Sequence, residues 1–417
     1  MEIKHLLLFL IPFSLFPPAL QAQEGWWQGF IEEAKLPICL HLQQDTLLMY
    51  SPLQTRKPIP PTTWSFAHDT LRYHSKPLGV RLTLVYHAED STLHGTFRQG
   101  LLRSSLVFHP CQGLPTYPRP QTPQEPYAFE ARELSIETGK DVVLSGTLAL
   151  PRTPEPKGGY PCVVLISGSG QQNRDEELYL HRPFLVWAEY LAQQGIATFR
   201  YDDRGVGGSR GDVKGLTTQV NADDCEAVFR AIRKQKHVNP KQIGLMGHSE
   251  GGAIAPMVAA RNRRVAFVVM LAGQGCTGHE VLRQQNEAIY RLSGATDSAI
   301  HARLQWLDRQ LASPTLDPWT RAFVALDPAT YLPQVQCPLL AVNGDRDCQV
   351  LAQPNQEAIR RLTQGNPHAE YYQPEAMNHL LQRCQRGDVA EYVALEQTVA
   401  PEVLERVGQF IKTISTR

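Results

Sequence analysis

A serine set between two glycines carries the first chemical signal in the chain. Gly247-His248-Ser249-Glu250-Gly251 has the form Gly-x-Ser-x-Gly, with apolar Ile243, Leu245 and Met246 before it and a helix-permissive run from Gly252 to Ala260 after it. That order predicts strand, sharp turn and helix, a geometry that lifts the serine hydroxyl to the apex of the turn. Glycine on either side removes Cβ atoms where strand and helix approach closely. A serine hydroxyl is a weak nucleophile until a base takes its proton and a third group orients that base. Two later loops supply candidates. Gly344-Asp345-Arg346-Asp347 follows the apolar run ending at Asn343. Asp347, in a Gly-x-x-Asp-x-x-Val frame, is the candidate acid, and Asp345 the turn former. Ala376-Met377-Asn378-His379 follows the last short strand and offers His379 as base. His41, His68, His237, His279, His301 and His368 have no such placement. His248, though inside the motif, is expected to point away from the base and pack behind the strand.

The oxyanion that such an attack creates needs two backbone N–H donors. One is expected from Glu250, the residue after the nucleophile. The other is expected from Ile166-Ser167-Gly168-Ser169-Gly170, where the amide of Ser169 is the choice and Gly168 or Gly170 the alternatives. No Gly-Lys-Ser/Thr follows this turn, which argues against a phosphate-binding loop. Asp202 and Arg204, in Tyr201-Asp202-Asp203-Arg204-Gly205, are expected to hold a loop in shape. This chemistry calls for no cofactor and no metal.

These residues need a scaffold that delivers loops to one edge. From Tyr127 onward, apolar strands alternate with amphipathic helices, which predicts a mostly parallel sheet covered on both faces. Cys162 to Ile166 is continuously apolar, as a strand buried on both sides must be, and Cys162 belongs to that core. Residues 276–333 interrupt the alternation with helical spacing at Ile300, Leu304, Leu307 and Leu311, predicting a cap over the sheet edge. Trp306 and Trp319 are candidates to line a pocket beneath it. Residues 23–112 read as a small β-rich domain, with period-2 runs at Leu36–Leu42, Thr46–Tyr50, Val80–Tyr86, Leu93–Gly100 and Ser105–Phe108. It holds no catalytic constellation, and support is its expected role. Pro115, Pro118, Pro120, Pro123 and Pro126 make 113–126 a stiff linker.

The first 22 residues carry Lys4, an apolar run from Leu6 to Phe16 and a small residue at Ala22, the grammar of an export signal cut after Ala22. The run is too short to span a bilayer. Export would let Cys39 and Cys111 pair, or they stay free and buried. Lys+Arg and Asp+Glu are both 41, so there is no basic stripe for a nucleic acid.

From about Tyr127 to its end the chain resembles an α/β-hydrolase. It is similar to bacterial secreted carboxylesterases and to serine aminopeptidase-like hydrolases. The resemblance rests on Ser167-Gly168-Ser169-Gly170 with Asn173-Arg174-Asp175-Glu176, Asp202 to Ser209, Gly247 to Gly252, Gly344 to Asp347 and Asn378-His379. Ser167 stands where many of these proteins carry His, a departure that spares the backbone role. The resemblance implies hydrolysis of short-chain acyl esters, with a small-molecule ester as substrate, and the export signal implies the periplasm or outside the cell. Peptidase, acyltransferase and non-enzymatic binding remain the alternatives, and the oligomeric state stays open.

Overall fold

The computed structural model describes residues 24–31, 36–53, 55–100 and 102–415. The expected export signal, 1–22, lies outside them. Two compact units divide between Thr116 and Tyr117.

In the first unit, β1 (Gly25–Ile31), β2 (Leu36–Gln43), β3 (Thr46–Ser51), β4 (Thr55–Ile59), β5 (Thr63–Ala67), β6 (Thr70–Ser75), β7 (Val80–His87), β8 (Thr92–Gln99) and β9 (Leu102–Cys111) pair antiparallel in the order β4-β3-β2-β1-β9-β8-β7-β6-β5. Alternation sets the faces: Val80, Leu82 and Leu84 are buried while Arg81, Thr83 and Val85 are exposed. The core gathers Trp27, Leu40, Leu42, Tyr73, Leu82, Phe97 and Phe108. Cys39 on β2 and Cys111 on β9 flank β1, opposite Gln28 and Trp26, and both are free thiols. Two strand spacings of roughly 4.8 Å separate them, beyond the reach of a disulfide.

The second unit is built on β10 (Phe129–Gly139), β11 (Val142–Pro151), β12 (Tyr160–Ile166), β13 (Ala197–Tyr201), β14 (Val238–His248), β15 (Val268–Leu271), β16 (Leu339–Val342) and β17 (Ala369–Tyr372). Their order is β10-β11-β13-β12-β14-β15-β16-β17. β10 and β11 pair antiparallel and β11 runs antiparallel to β13; the remaining pairs are parallel. Helices α1 (Pro183–Gln193), α2 (Thr218–Ile232), α3 (Glu250–Arg261), α4 (Gly278–Leu292), α5 (Asp297–Leu311), α6 (Pro318–Val324), α7 (Ala352–Leu362) and α8 (Pro401–Ser415) complete it. Successive residues of β12 feed two cores. Cys162, Val164 and Ile166 pack with α2 and α3, whereas Val163 and Leu165 pack with α1 and α8. That explains why the strand is apolar throughout. Each such side chain contributes roughly 1.5–3 kcal/mol by leaving water. This is the α/β-hydrolase fold, preceded by an antiparallel β-rich domain.

The proline-rich stretch after the division is bound to the second unit. The Arg119 guanidinium donates to the carbonyls of Tyr179, Val393 and Leu395, and Gln121 bonds Thr398 and Val399.

Helices α4, α5 and α6 form the cap. Thr277 and Glu280 make a capping box on α4, and the side chains of Thr296 and Asp317 cap α5 and α6. The excursion closes on itself, with Gly278 N donating to Leu326 O at 2.9 Å. It is narrower than 276–333, because Tyr331 and Leu332 are buried in the main core. Below it, Asn355 Oδ1 accepts from Gly275 N and Cys276 N at 2.9 and 3.0 Å, fixing the take-off point.

Candidate active site

β14 ends at His248 and α3 begins at Glu250, so Ser249 is the turn between them. Its φ is 55° and ψ −117°, a left-handed backbone that costs roughly 1–3 kcal/mol and persists only when its surroundings impose it. Here they do. Ser249 N donates to Leu271 O at 2.8 Å. A Cβ at Gly247 would fall 1.9 Å from Gly251 O, and one at Gly251 would fall 2.2 Å from Ile166 O. Any side chain at either position would push the helix off the strand.

Ser249 opens onto a cavity of about 300 Å³ that is also lined by Ser169, Glu250, His379, Gln274 and Trp319. His379 Nδ1 stands 2.7 Å from Asp347 Oδ2, with both side chains buried. A carboxylate only accepts, so Nδ1 carries the proton and Nε2 is left with its lone pair. Asp347 Oδ1 is itself held by the amides of Gln349 and Val350 at 2.8 and 2.9 Å. Asp345 instead accepts from Met377 N at 3.2 Å and shapes the two loops. No hydrogen bond among the described residues engages Ser249 Oγ or His379 Nε2. Cys348 beside the acid does not compete as a nucleophile, since burial pushes its thiol up to about 12.

Glu176 decides which amides remain for an oxyanion. Its Oε1 accepts from Gly168 N at 2.7 Å, which removes Gly168 from the alternatives. Gly170 lines a neighbouring cavity and not this one. Ser169 lines the cavity that Ser249 opens onto, and the amide of Glu250 is an orphan donor in the first turn of α3. Glu176 N donates to Asn173 O at 2.8 Å, and in the same run the amide and guanidinium of Arg174 bond Asp202 at 2.8–3.2 Å. Arg204 pairs with Asp224 on α2. Both residues of the 202–204 loop are therefore structural, as the sequence predicts.

His248 corrects an expectation. Far from pointing away, it lines the cavity with its ring centroid 4.8 Å from that of His379. Its Nδ1 faces Glu176 Oε1 and its Nε2 faces the backbone oxygen of His379, both at 2.9 Å. Both partners are acceptors, so the ring must donate twice. Burial opposes a charge there, but the Glu176 carboxylate and the two hydrogen bonds outweigh it and hold His248 above its ordinary pKa. Glu176, distant in sequence, gave no local signal. Only its position in the Asn173–Glu176 run hinted at a role.

The Glu250 side chain reaches the cavity, as expected from its place in the motif, but is not free there. Its Oε1 accepts from Thr218 at 2.6 Å, and both oxygens accept from Trp319 Nε1 at 3.0 and 3.1 Å. Trp319 is thus a pocket wall, stacked on Phe323 at 5.1 Å. Trp306 is 42% exposed and lies under Arg303 instead. Among the described residues no cluster of three or more His, Cys, Asp or Glu could hold a metal ion, and no helix is long and apolar enough to cross a membrane.

A family profile described as serine aminopeptidase, S33, matches residues 183–337, which include Ser249 and the cap but stop before Asp347 and His379. Esterase EstD of Thermotoga maritima is 28% identical over 251 residues, 58% of this chain and 60% of that protein. The uncharacterized peptidase YuxL of Bacillus subtilis is 25% identical over 223 residues, 52% of this chain and 30% of that one. The matched stretch thus spans less than two thirds of either relative. The solved esterase Pf2001 of Pyrococcus furiosus is 19% identical, with a TM-score of 0.48, over 72% of this chain and 99% of that one. The chain has the α/β-hydrolase fold and is similar in sequence to a bacterial esterase.

Proposed function

We propose that this protein hydrolyses carboxylic esters through an acyl-enzyme on Ser249. The observation that carries the proposal is the pairing of His379 Nδ1 with Asp347 Oδ2 at the wall of the cavity that Ser249 enters, which leaves Nε2 as the nitrogen available to the serine. As Ser249 Oγ bonds the carbonyl carbon, its proton passes to His379 Nε2. Asp347 orients the resulting imidazolium and offsets its charge. The negative oxygen of the tetrahedral species is held by the amides of Ser169 and Glu250. The bond to the alcohol oxygen then breaks, and His379 returns the proton to the departing alkoxide. A water attacks the acyl carbon, giving its proton to His379. Collapse releases the acid and returns a proton to Ser249 Oγ.

The name of the EstD relative supports ester substrates. The aminopeptidase description of the family profile favours a peptide substrate, whose free amine would need a carboxylate in the cavity. Glu176 and Glu250 are there, but each is already engaged, one by Gly168 N and His248, the other by Thr218 and Trp319. That argues for an ester. The residues before Ala22 support export to the periplasm or beyond, which sequencing the mature N-terminus would check.

The test is direct. The purified protein should hydrolyse p-nitrophenyl acetate and take up a fluorophosphonate label. Ser249→Ala should lose the label and at least about 10⁴-fold in kcat. Turnover by Ser249→Ala at the wild-type rate would sink the proposal.

A further inference from the structure

We propose that Gln274 is a recognition residue, and that the natural substrate is an ester carrying a hydroxyl or amide group close to its reacting carbonyl rather than a plain aliphatic ester. The proposal rests on the ester-hydrolase reading above. Glu176, His248, Glu250 and His379 all line the cavity, all are buried, and all have partners inside the protein. Gln172 donates to Ser169 O, Gln285 donates to Gln349, and Gln349 donates to the Tyr392 hydroxyl. Apart from Ser249 Oγ and His379 Nε2, which the reaction uses, Gln274 is the exception among the buried side chains. It is 2% exposed and lines the same cavity, yet its Nε2 has no hydrogen-bond partner among the described residues. A buried amide left unpaired destabilises a protein, and native interiors rarely keep one without a reason.

The backbone around Gln274 holds it in that position. Ala272 N donates to Val342 O at 2.7 Å and sits at φ 49°. A Cβ on Gly273 would fall 3.2 Å from Gly252 Cα, so that residue is wedged against the first turn of α3. Gly275 N is tied to Asn355 Oδ1. The loop also follows β15, whose Leu271 O accepts from Ser249 N. The amide is therefore delivered from fixed backbone on the strand bonded to the nucleophile itself. A primary amide both donates and accepts, so a hydroxyl or another amide satisfies it. An alkyl chain would leave it unpaired. A carboxylate would meet the field of Glu176 and Glu250.

Matched esters test this with the full-length protein. One pair varies the acyl arm, p-nitrophenyl 2-hydroxypropionate against p-nitrophenyl propionate. The other varies the alcohol arm, 2-hydroxyethyl acetate against ethyl acetate. The wild type should favour the hydroxylated member of at least one pair by about ten-fold in kcat/KM, the scale set by leaving a buried polar group unpaired. Gln274→Met should bring that ratio close to one and raise the thermal midpoint, since an unmet polar group is gone. No preference in the wild type, an unchanged ratio in Gln274→Met, or a lowered midpoint would each overturn the inference. Fluorophosphonate labelling separates the two levels. A protein that labels at Ser249 but shows no preference overturns this inference alone, and a protein that does not label overturns the reading beneath it.

Discussion

Asp345 and Asp347 lie two residues apart in one loop, and only one of them reaches His379. Asp347→Asn should lower kcat/KM by roughly 10³–10⁴-fold, because an amide opposite Nδ1 admits the wrong tautomer. Asp345→Asn should change it by less than about ten-fold, since among the described residues that carboxylate holds only Met377 N. Esterase kinetics on the two variants compare them directly. The buried Glu176–His248 pair supports a second prediction. Removing one partner leaves a buried charge, so Glu176→Gln should cost about 3–5 kcal/mol in denaturant unfolding. The pH dependence has a definite sign. His248 is held above its ordinary value of 6.5, so its stabilisation is complete below that value and is lost as pH rises through the raised one. The wild-type thermal midpoint should therefore fall on the alkaline side, and Glu176→Gln should show a flatter slope there. The sequence made Ser249, Asp347 and His379 legible because order along the chain and placement after strands are local properties. Glu176, His248 and Gln274 were not legible as partners. Their roles depend on which distant backbone groups are already satisfied, and only packed coordinates reveal that.

At the scale of elements, α6 bears on the chemistry through Trp319. This indole and Ser169 are common to the cavity under the cap and to a second one of about 560 Å³, lined also by Val213, Leu216 and Pro318. Clamped by Glu250 and stacked on Phe323, Trp319 is a fixed partition between them. Trp319→Ala should join the two spaces and move the preferred p-nitrophenyl ester to a longer acyl chain. A profile from C2 to C10 that keeps its wild-type maximum would contradict this. Most elements of the second unit were evident from the alternation of apolar runs and helical spacing. The first unit was harder. β1, with Gly25 and Gly29 around two tryptophans, does not alternate in residue type although its burial does, and β4 to β6 are only five or six residues long. Their pairing depends on neighbouring strands more than on local pattern.

Each of the two units has its own core: among the described residues, none of the first unit's cluster belongs to the clusters around the second sheet. Phe108→Ala should therefore cost about 3–5 kcal/mol in the unfolding of the first unit and leave kcat/KM unaltered below that transition. Calorimetry alongside ester turnover measures both, and a parallel loss of turnover would refute it. The bond between Gly278 N and Leu326 O has a consequence for engineering. The cap leaves and re-enters the sheet through one narrow neck, so it can be treated as a cassette. A foreign helical segment whose ends meet at the same spacing could be spliced there without altering the strands that carry Ser249, Asp347 and His379. The cap's share of the cavity wall, Val281, Leu282, Trp319 and Phe323 among it, thus sits on its own length of chain, and a library built between 278 and 326 would vary that wall while leaving Gln274, Ser249, Asp347 and His379 in place.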